Sequence, residues 1–512
     1  MGAEWLPYGP VAYDRDLELA ADACVVGTGA GGAVFASELA EAGKRVVMLE
    51  KGGLYTRKDF SQDEATMMPK LFDAAGARTT ADGGIVVLHG ACVGGGTTVN
   101  WAICFDPPEA VLEGWATAHG IPGIRLADLR PSLDKVRFVL NVQKMQPGEV
   151  SENGRLFLAG ARKLGLTADR FEHSRTACLG SGFCILGCAY DRKQSMLVTY
   201  VPRAMRFGAT LVSSAEVMGF EREGDRVTAA VGHLTDPASG RTFRLRVRAP
   251  LFAVAGGAIS TPVLLAKSGL VPASGLNGYN LRLHPTTAVV GLFDHEVRGF
   301  EGIHFGAYVS DLEHQGIIIE SVFAYPGLMA SAMLSGGPLA QRYMQRYAHM
   351  AAGIVLLHDD GAGRVSVGPG GQPRVDYVVS ARDREKFRTG IKTLARIYFA
   401  AGAREVVVPH VSGPVLTREA DVDRLIDALD LGPNRLATFS AHQMGTTPMG
   451  ADPQTSVTDP DGRLWGLRNV LVVDGSVMPT SLGRNPQITI AALADRAARR
   501  VLADPRRYFG SA

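Results

Sequence analysis

Residues 23–50 read Ala-Cys-Val-Val-Gly-Thr-Gly-Ala-Gly-Gly-Ala-Val-Phe-Ala-Ser-Glu-Leu-Ala-Glu-Ala-Gly-Lys-Arg-Val-Val-Met-Leu-Glu. An apolar run over 23–26 ends in Gly27. A helical pattern follows from about Gly31 to Ala42, with Phe35 and Leu39 on one face. Gly43 stops it, and a second apolar run, Arg45 to Leu49, ends in Glu50. Strand, helix, strand in that order is a βαβ unit with parallel strands. Gly27, Gly29 and Gly32 form G-x-G-x-x-G at the strand–helix junction. The first glycine permits a tight turn, the second lets a pyrophosphate approach the backbone, and the third lets helix and strand pack closely. Free amides and the helix dipole favour phosphate there. Glu50 closes the second strand and can accept hydrogen bonds from a ribose diol. The motif binds a dinucleotide without separating flavin from nicotinamide.

Outward from that unit, residues 207–222 read as β-rich, and Leu251–Ala255 as a buried strand before a helix over Thr261–Lys267. From about 290 to 430 the texture changes. Val289–Phe293, Gly316–Ala324 and Arg364–Val367 look like strands, and Asp383–Ala401 like an amphipathic helix with Phe387, Ile391, Leu394 and Ile397 on one side. The expected architecture is α/β (α+β overall): a Rossmann-like domain with a parallel sheet, and a second domain whose largely antiparallel sheet is covered by helices. The first takes 1–110, 195–290 and 435–512. The second takes 111–194 and 291–434. At 512 residues two domains are the natural expectation.

Composition narrows the partners. Lys+Arg total 53 against 51 Asp+Glu, which argues against nucleic acid because phosphate binding needs a basic excess. Six cysteines are too few for a disulfide scaffold at this length. The opening residues, Met1 to Pro7, carry neither a basic nor an apolar signal region, and no apolar run is long enough to span a bilayer. A cytoplasmic location is the default, with peripheral attachment to a membrane left open.

Two further stretches carry chemistry. Residues 89–101, His-Gly-Ala-Cys-Val-Gly-Gly-Gly-Thr-Thr-Val-Asn-Trp, strip side chains from Gly94 to Gly96. That suits close approach to a flat ligand or a diphosphate, or else a tight structural loop. Near the C-terminus stand His442, in Ser-Ala-His-Gln-Met-Gly, and Asn485, in Gly-Arg-Asn-Pro-Gln. A histidine titrates near neutrality and can take a hydroxyl proton. A neutral carboxamide can orient the resulting oxygen. Pro486 and the pattern Ile488, Ala491, Ala492, Asp495 place Asn485 at a helix N-cap and Pro486 at N1.

In chain order, the βαβ unit, VGGGTTVNW (93–101), AGGAISTPVLLAKSG (255–269), SAHQMG (440–445) and VVDGSVMPTSLGRNPQITIAALADRAA (472–498) resemble the glucose-methanol-choline (GMC) family of FAD-dependent oxidoreductases. LRLHP (281–285), residues 363–383 and residues 390–406 resemble, more loosely, its long-chain alcohol oxidase branch. The resemblance implies FAD, with Gly27, Gly29, Gly32 and Glu50 on the ADP half and Val217 beside adenine. It further implies Gly95, Thr98 and Asn100 along the pyrophosphate and ring, Asp474 and Gly475 near the ribityl phosphate, and Gln487 close by. His442 and Asn485 would face the reactive side of the flavin. Some members bind flavin through a histidine beside this asparagine; Val99 stands there, so non-covalent FAD is expected. The implied activity is oxidation of an alcohol, apolar, long-chain or another primary alcohol, to aldehyde or ketone. Electrons would pass to O2 or to another acceptor such as an iron–sulfur cluster, quinone or cytochrome. A non-redox lyase that keeps its flavin is the alternative.

Cys178, Cys184 and Cys188 (C-x5-C-x3-C) could hold an iron–sulfur cluster or simply be buried thiols, and no metal is assigned to them. The apolar segments 316–325 and 327–334 read equally as pocket lining or as core.

Overall fold

The computed structural model describes residues 12–334 and 336–509. The opening residues read above for a signal region lie outside that range.

The first unit forms as its pattern dictates: strand Ala23–Val26, helix Ala30–Glu41, strand Val46–Leu49. Among the described residues these strands sit in a five-stranded sheet ordered Val470–Val472, Leu251–Val254, Ala23–Val26, Val46–Leu49, Thr210–Val212, each neighbouring pair parallel. Every residue of the central three strands is buried, as expected of a parallel sheet covered on both faces. The C-terminal strand therefore joins the same sheet as the N-terminal one. The C-terminal helix Gln487–Ala503 shares one apolar core with helix Ala30–Glu41, through Ile488, Ala491, Ala492 and Ala498 on one side and Val34, Phe35 and Leu39 on the other.

A four-stranded sheet, Leu17–Ala20, Thr242–Arg248, Arg226–Thr235 and Ala215–Glu223, flanks this layer and leaves the last strand at an edge. The second large sheet has nine strands and is antiparallel apart from the pairing of Phe439–Ser440 with Val86–Val87. Helices Glu152–Lys163 and Ala381–Ala401 cover one of its faces. Gly160 lets the two helices touch, since a Cβ there would lie 2.0 Å from the Ile397 carbonyl oxygen. The opposite face carries Ile354, with Ala288, Tyr308 and Val322, against Ile103, Phe105, Phe171, Phe305, Trp101 and Phe439. The sheet thus turns an aromatic face toward the segment that follows Asn100 and the one that precedes His442.

Of the apolar segments left open above, the first contributes buried strand residues, while the second buries only Met329 and Met333. Ile317 and Ile319 pack under the covering helices, and Met329 and Met333 join Phe323 and Tyr343 in a separate cluster.

Candidate active site

Three of the four clustered glycines serve packing. Gly27 has φ +107° and its Cβ would lie 2.3 Å from Ala255 O; Gly31 would meet Val473 O at 1.6 Å, and Gly32 would meet Gly27 O at 2.0 Å. Gly29 differs, because its Cβ would find only the Cα of Gly95, at 4.0 Å. Gly95, with φ +53°, would push a Cβ to 2.8 Å from the Gly29 Cα. The two glycine-rich loops therefore face each other backbone to backbone. The first amides of the helix that starts at Ala30 have no intrahelical partner, and no side chain caps them. Such an arrangement leaves room and free amides suited to a diphosphate.

Thr28 ties the two loops together. Its Oγ1 accepts from Gly94 N at 3.0 Å and donates to Glu50 Oε2 at 2.7 Å. Glu50 also accepts from Thr28 N and Gly52 N, both at 3.0 Å, and burial pushes its carboxyl above the usual range. Part of its accepting capacity is thus spent inside the protein. Thr98 Oγ1 donates to Val93 O, so that hydroxyl braces the loop. The buried Lys193 ammonium donates to Thr98 O at 2.6 Å, Asn100 O at 2.9 Å and Cys184 O at 2.6 Å, and burial brings it down to about 8. Sequence reasoning overlooked both Thr28 and Lys193. Thr28 occupies a variable position of the motif, and a lone lysine beside cysteines carries no local signature.

Asn100 Nδ2 donates to Gln487 Oε1 at 2.5 Å, so the glycine-rich loop is fastened to the first residue of the C-terminal helix. Asp474 accepts from Gly257 N and Thr261 Oγ1 through one oxygen and from Ser476 N through the other. Its carboxylate is consumed in joining the strand end to helix Gly257–Lys267. Gly475 is buried beside the His442 segment: Gly445 N donates to its carbonyl at 3.1 Å, and a Cβ on it would lie 3.2 Å from Gln443 O. Val217 lies in the edge strand Ala215–Glu223, at a bulge between its pairings with Gly232 and those of Gly219.

His442 is half-buried and packs against a second imidazole, that of the fully buried His284. Its Nδ1 stands 3.3 Å from Nδ1 of His284, with the rings at 87°. His284 Nε2 accepts from Gly483 N at 2.9 Å, two residues before Asn485. Asn485 is buried, and its Oδ1 has no partner among the described residues. Imidazole and carboxamide are therefore brought into one neighbourhood through His284 and Gly483. Two expectations need revising. His442 does not titrate near neutrality, because burial, and then the neighbouring His284, hold it down at about 3. The helix begins at Gln487 with Pro486 in the cap position and no side-chain cap, so Asn485 stands one residue ahead of the cap, its oxygen uncommitted. His284 lies in the LRLHP stretch, but its role could not be read there, because its partners come from two distant segments.

The cysteine loop adjoins Lys193. Cys178 Sγ accepts from Gly180 N, and Cys188 Sγ from Arg192 N and Lys193 N. Burial pushes the Cys184 thiol up to about 12. Among the described residues no three His, Cys, Asp or Glu side chains are grouped to hold a metal ion.

Residues 68–286 and 360–494 match the N- and C-terminal profiles of GMC oxidoreductases, and 25–59 an NAD(P)-binding Rossmann-like domain. The chain belongs to the GMC oxidoreductase family. A GMC-type oxidoreductase of Mycobacterium tuberculosis is 34% identical over 93% of this chain and 74% of its own length. One of Sinorhizobium fredii is 31% identical over 98% of both. The Arabidopsis thaliana long-chain-alcohol oxidase FAO4B is 29% identical over 94% of this chain and 67% of its own. In fold, this GMC oxidoreductase is similar to pyridoxine 4-oxidase from Mesorbium loti (TM-score 0.68, 19% identity, 94% and 99% covered). It is also similar to Aspergillus oryzae formate oxidase (TM-score 0.70, 15% identity, 97% and 100% covered). It is an FAD-dependent oxidoreductase, and the paired glycine loops fit that cofactor's diphosphate.

Proposed function

We propose that this GMC oxidoreductase oxidises an alcohol to the aldehyde or ketone, with FAD held non-covalently by 1–110, 195–290 and 435–512 and substrate met by 111–194 and 291–434. When bound, FAD supplies the hydride acceptor. Gly29 and Gly95 would admit its diphosphate, Glu50 its ribose, and the edge-strand backbone at Val217 its adenine. Asp474 acts indirectly, by fixing Gly475 and helix Gly257–Lys267. Asn100 and Gln487 hold the ring end of the cradle together. His442 assists loss of the hydroxyl proton, and Asn485 orients the carbinol oxygen with its carboxamide.

The observation that carries this reading is the uncommitted, buried Oδ1 of Asn485, two residues from the Gly483 amide that is bonded to the His442–His284 pair. The aromatic cluster packed on the nine-stranded sheet, with Trp101, Phe105 and Phe439, suits an apolar alcohol. The long-chain-alcohol oxidases among the relatives support the same class. The test is an anaerobic screen of alcohols by chain length, watching the flavin bleach. His442→Ala should keep its yellow colour and bleach about 10²-fold more slowly or worse. A near-normal rate in that variant would remove His442 from the chemistry. Peroxide formation set against dye reduction separates oxygen from another acceptor, and a flavin that no alcohol bleaches points to the lyase alternative.

A further inference from the structure

The hydrogen bonds around His284 run in one direction. A backbone amide can only donate, so Gly483 N, at 2.9 Å, requires a lone pair on His284 Nε2. A neutral imidazole has one N–H, which must then sit on Nδ1. That proton points at Nδ1 of His442, 3.3 Å away. His442 Nδ1 is therefore the acceptor, and neutral His442 carries its proton on Nε2. His284 is fully buried and His442 half-buried, and both are held neutral, each at about 3 chiefly by desolvation.

The setting of His284 is built for this. Its backbone takes φ +47°, a left-handed conformation that costs a non-glycine residue about 1 kcal/mol or more and persists only where surroundings enforce it. The enforcement is visible. Asp359 accepts from Leu283 N at 2.9 Å and His284 N at 3.4 Å, and also from Tyr377 Oη and Ser481 Oγ. Ser440 Oγ, two residues before His442, donates to Leu283 O. His358, whose ring lies near Gly483, is the other titratable group bearing on His284.

We propose that His284 is a positioning residue that holds His442 as its Nε2–H tautomer, so that His442 meets the carbinol oxygen as a hydrogen-bond donor. The inference deepens the alcohol-oxidation reading and rests on it for its chemical meaning. In this tautomer His442 Nε2–H and the Asn485 amide both donate to the carbinol oxygen, orienting it and stabilising the negative charge that builds on it, and His442 Nε2 has no lone pair to act as the base.

The test is nitrogen-detected NMR of the FAD-loaded enzyme carrying isotope-labelled histidine, with signals assigned through His284→Gln and His442→Gln. Protonated Nε2 on His442 together with protonated Nδ1 on His284 is the expected result; protonated Nδ1 on His442 overturns the proposal. This readout needs no turnover, so it stands apart from the alcohol screen, where an unbleached flavin would defeat the activity reading instead. Kinetically, His284→Phe keeps a ring but removes the donor. Flavin bleaching at saturating alcohol should slow about 10- to 100-fold with little change in KM, while His284→Asn, which keeps donor and acceptor atoms, recovers part of the rate. Bleaching by His284→Phe at the wild-type rate overturns the proposal.

Discussion

Gly31 and Gly29 sit two residues apart and should fail in different ways. A Cβ on Gly31 would lie 1.6 Å from Val473 O, in the segment that brings the C-terminus onto the first helix. Gly31→Ala must push those backbones apart, so it should destabilise the fold by about 1–3 kcal/mol. Gly29→Ala meets only the Gly95 Cα at 4.0 Å and should leave the melting temperature of the flavin-free protein unchanged. Its methyl instead occupies the space between the glycine loops, so FAD retention on gel filtration should fall about tenfold, equivalent to ~1.4 kcal/mol. Equal loss of stability in the two variants would remove Gly29 from the diphosphate site. Gly27, Gly29 and Gly32 were legible because their spacing is a local motif. The demand on Gly31 was not, because Val473 lies at the other end of the chain. The same holds for His442. Its segment was readable, but the His284 ring that fixes its protonation arrives from a strand-end far upstream, and burial, which sets its basicity, is not written in neighbouring residues.

At the scale of elements, periodicity succeeded where one face meets one neighbour. Phe387, Ile391, Leu394 and Ile397 were expected on one side of a helix, and all four are buried in helix Ala381–Ala401. Helix Gly257–Lys267 starts four residues ahead of its expected Thr261, a start that Gly256 and Gly257, with their poor helix propensity, concealed in the sequence. What holds that start is Asp474, which takes Gly257 N at 2.8 Å from a distant strand-end. Strand Ile317–Ser321 was expected too, but not the burden it carries. Glu320 is fully buried within it, neither oxygen has a partner among the described residues, and burial raises its carboxyl to about 8. The unfolded carboxyl titrates near its ordinary value, ~4.3. Glu320 therefore stabilises the fold below that value relative to neutrality, and the contribution is lost as pH rises toward 8. Glu320→Gln, which keeps the shape without the charge, should gain stability over wild type in urea unfolding at pH 8 and show a smaller gain at pH 4.5. A gain equal at both pH values would show that Glu320 is not the titrating group.

At the scale of the whole molecule, strands from both chain ends lie in one parallel sheet, and the candidate site is assembled from segments that no local pattern connects. Folding draws four histidines partly or wholly out of water. His173, His284 and His442 are held down at about 3 and His304 at about 4, each chiefly by burial. In the unfolded chain each titrates near 6.5, so below that pH the unfolded state binds protons that the folded state refuses. Stability is greatest above about 6.5 and falls as pH drops toward 4, by up to about 1.4 kcal/mol per pH unit for each histidine. Glu50 and Glu320 oppose this, since the folded state holds their protons to higher pH than the unfolded chain does. The net expectation is acid lability in the interval between pH 6 and 4.5, with flavin released as the fold opens. His173 can be altered without touching the His442–His284 pair. His173→Phe should reduce the pH slope of the unfolding free energy by about 1.4 kcal/mol per unit in that interval. A slope identical to wild type would mean that His173 is already protonated in the folded protein, and that the neighbourhood of the aromatic sheet face is wetter than its packing implies.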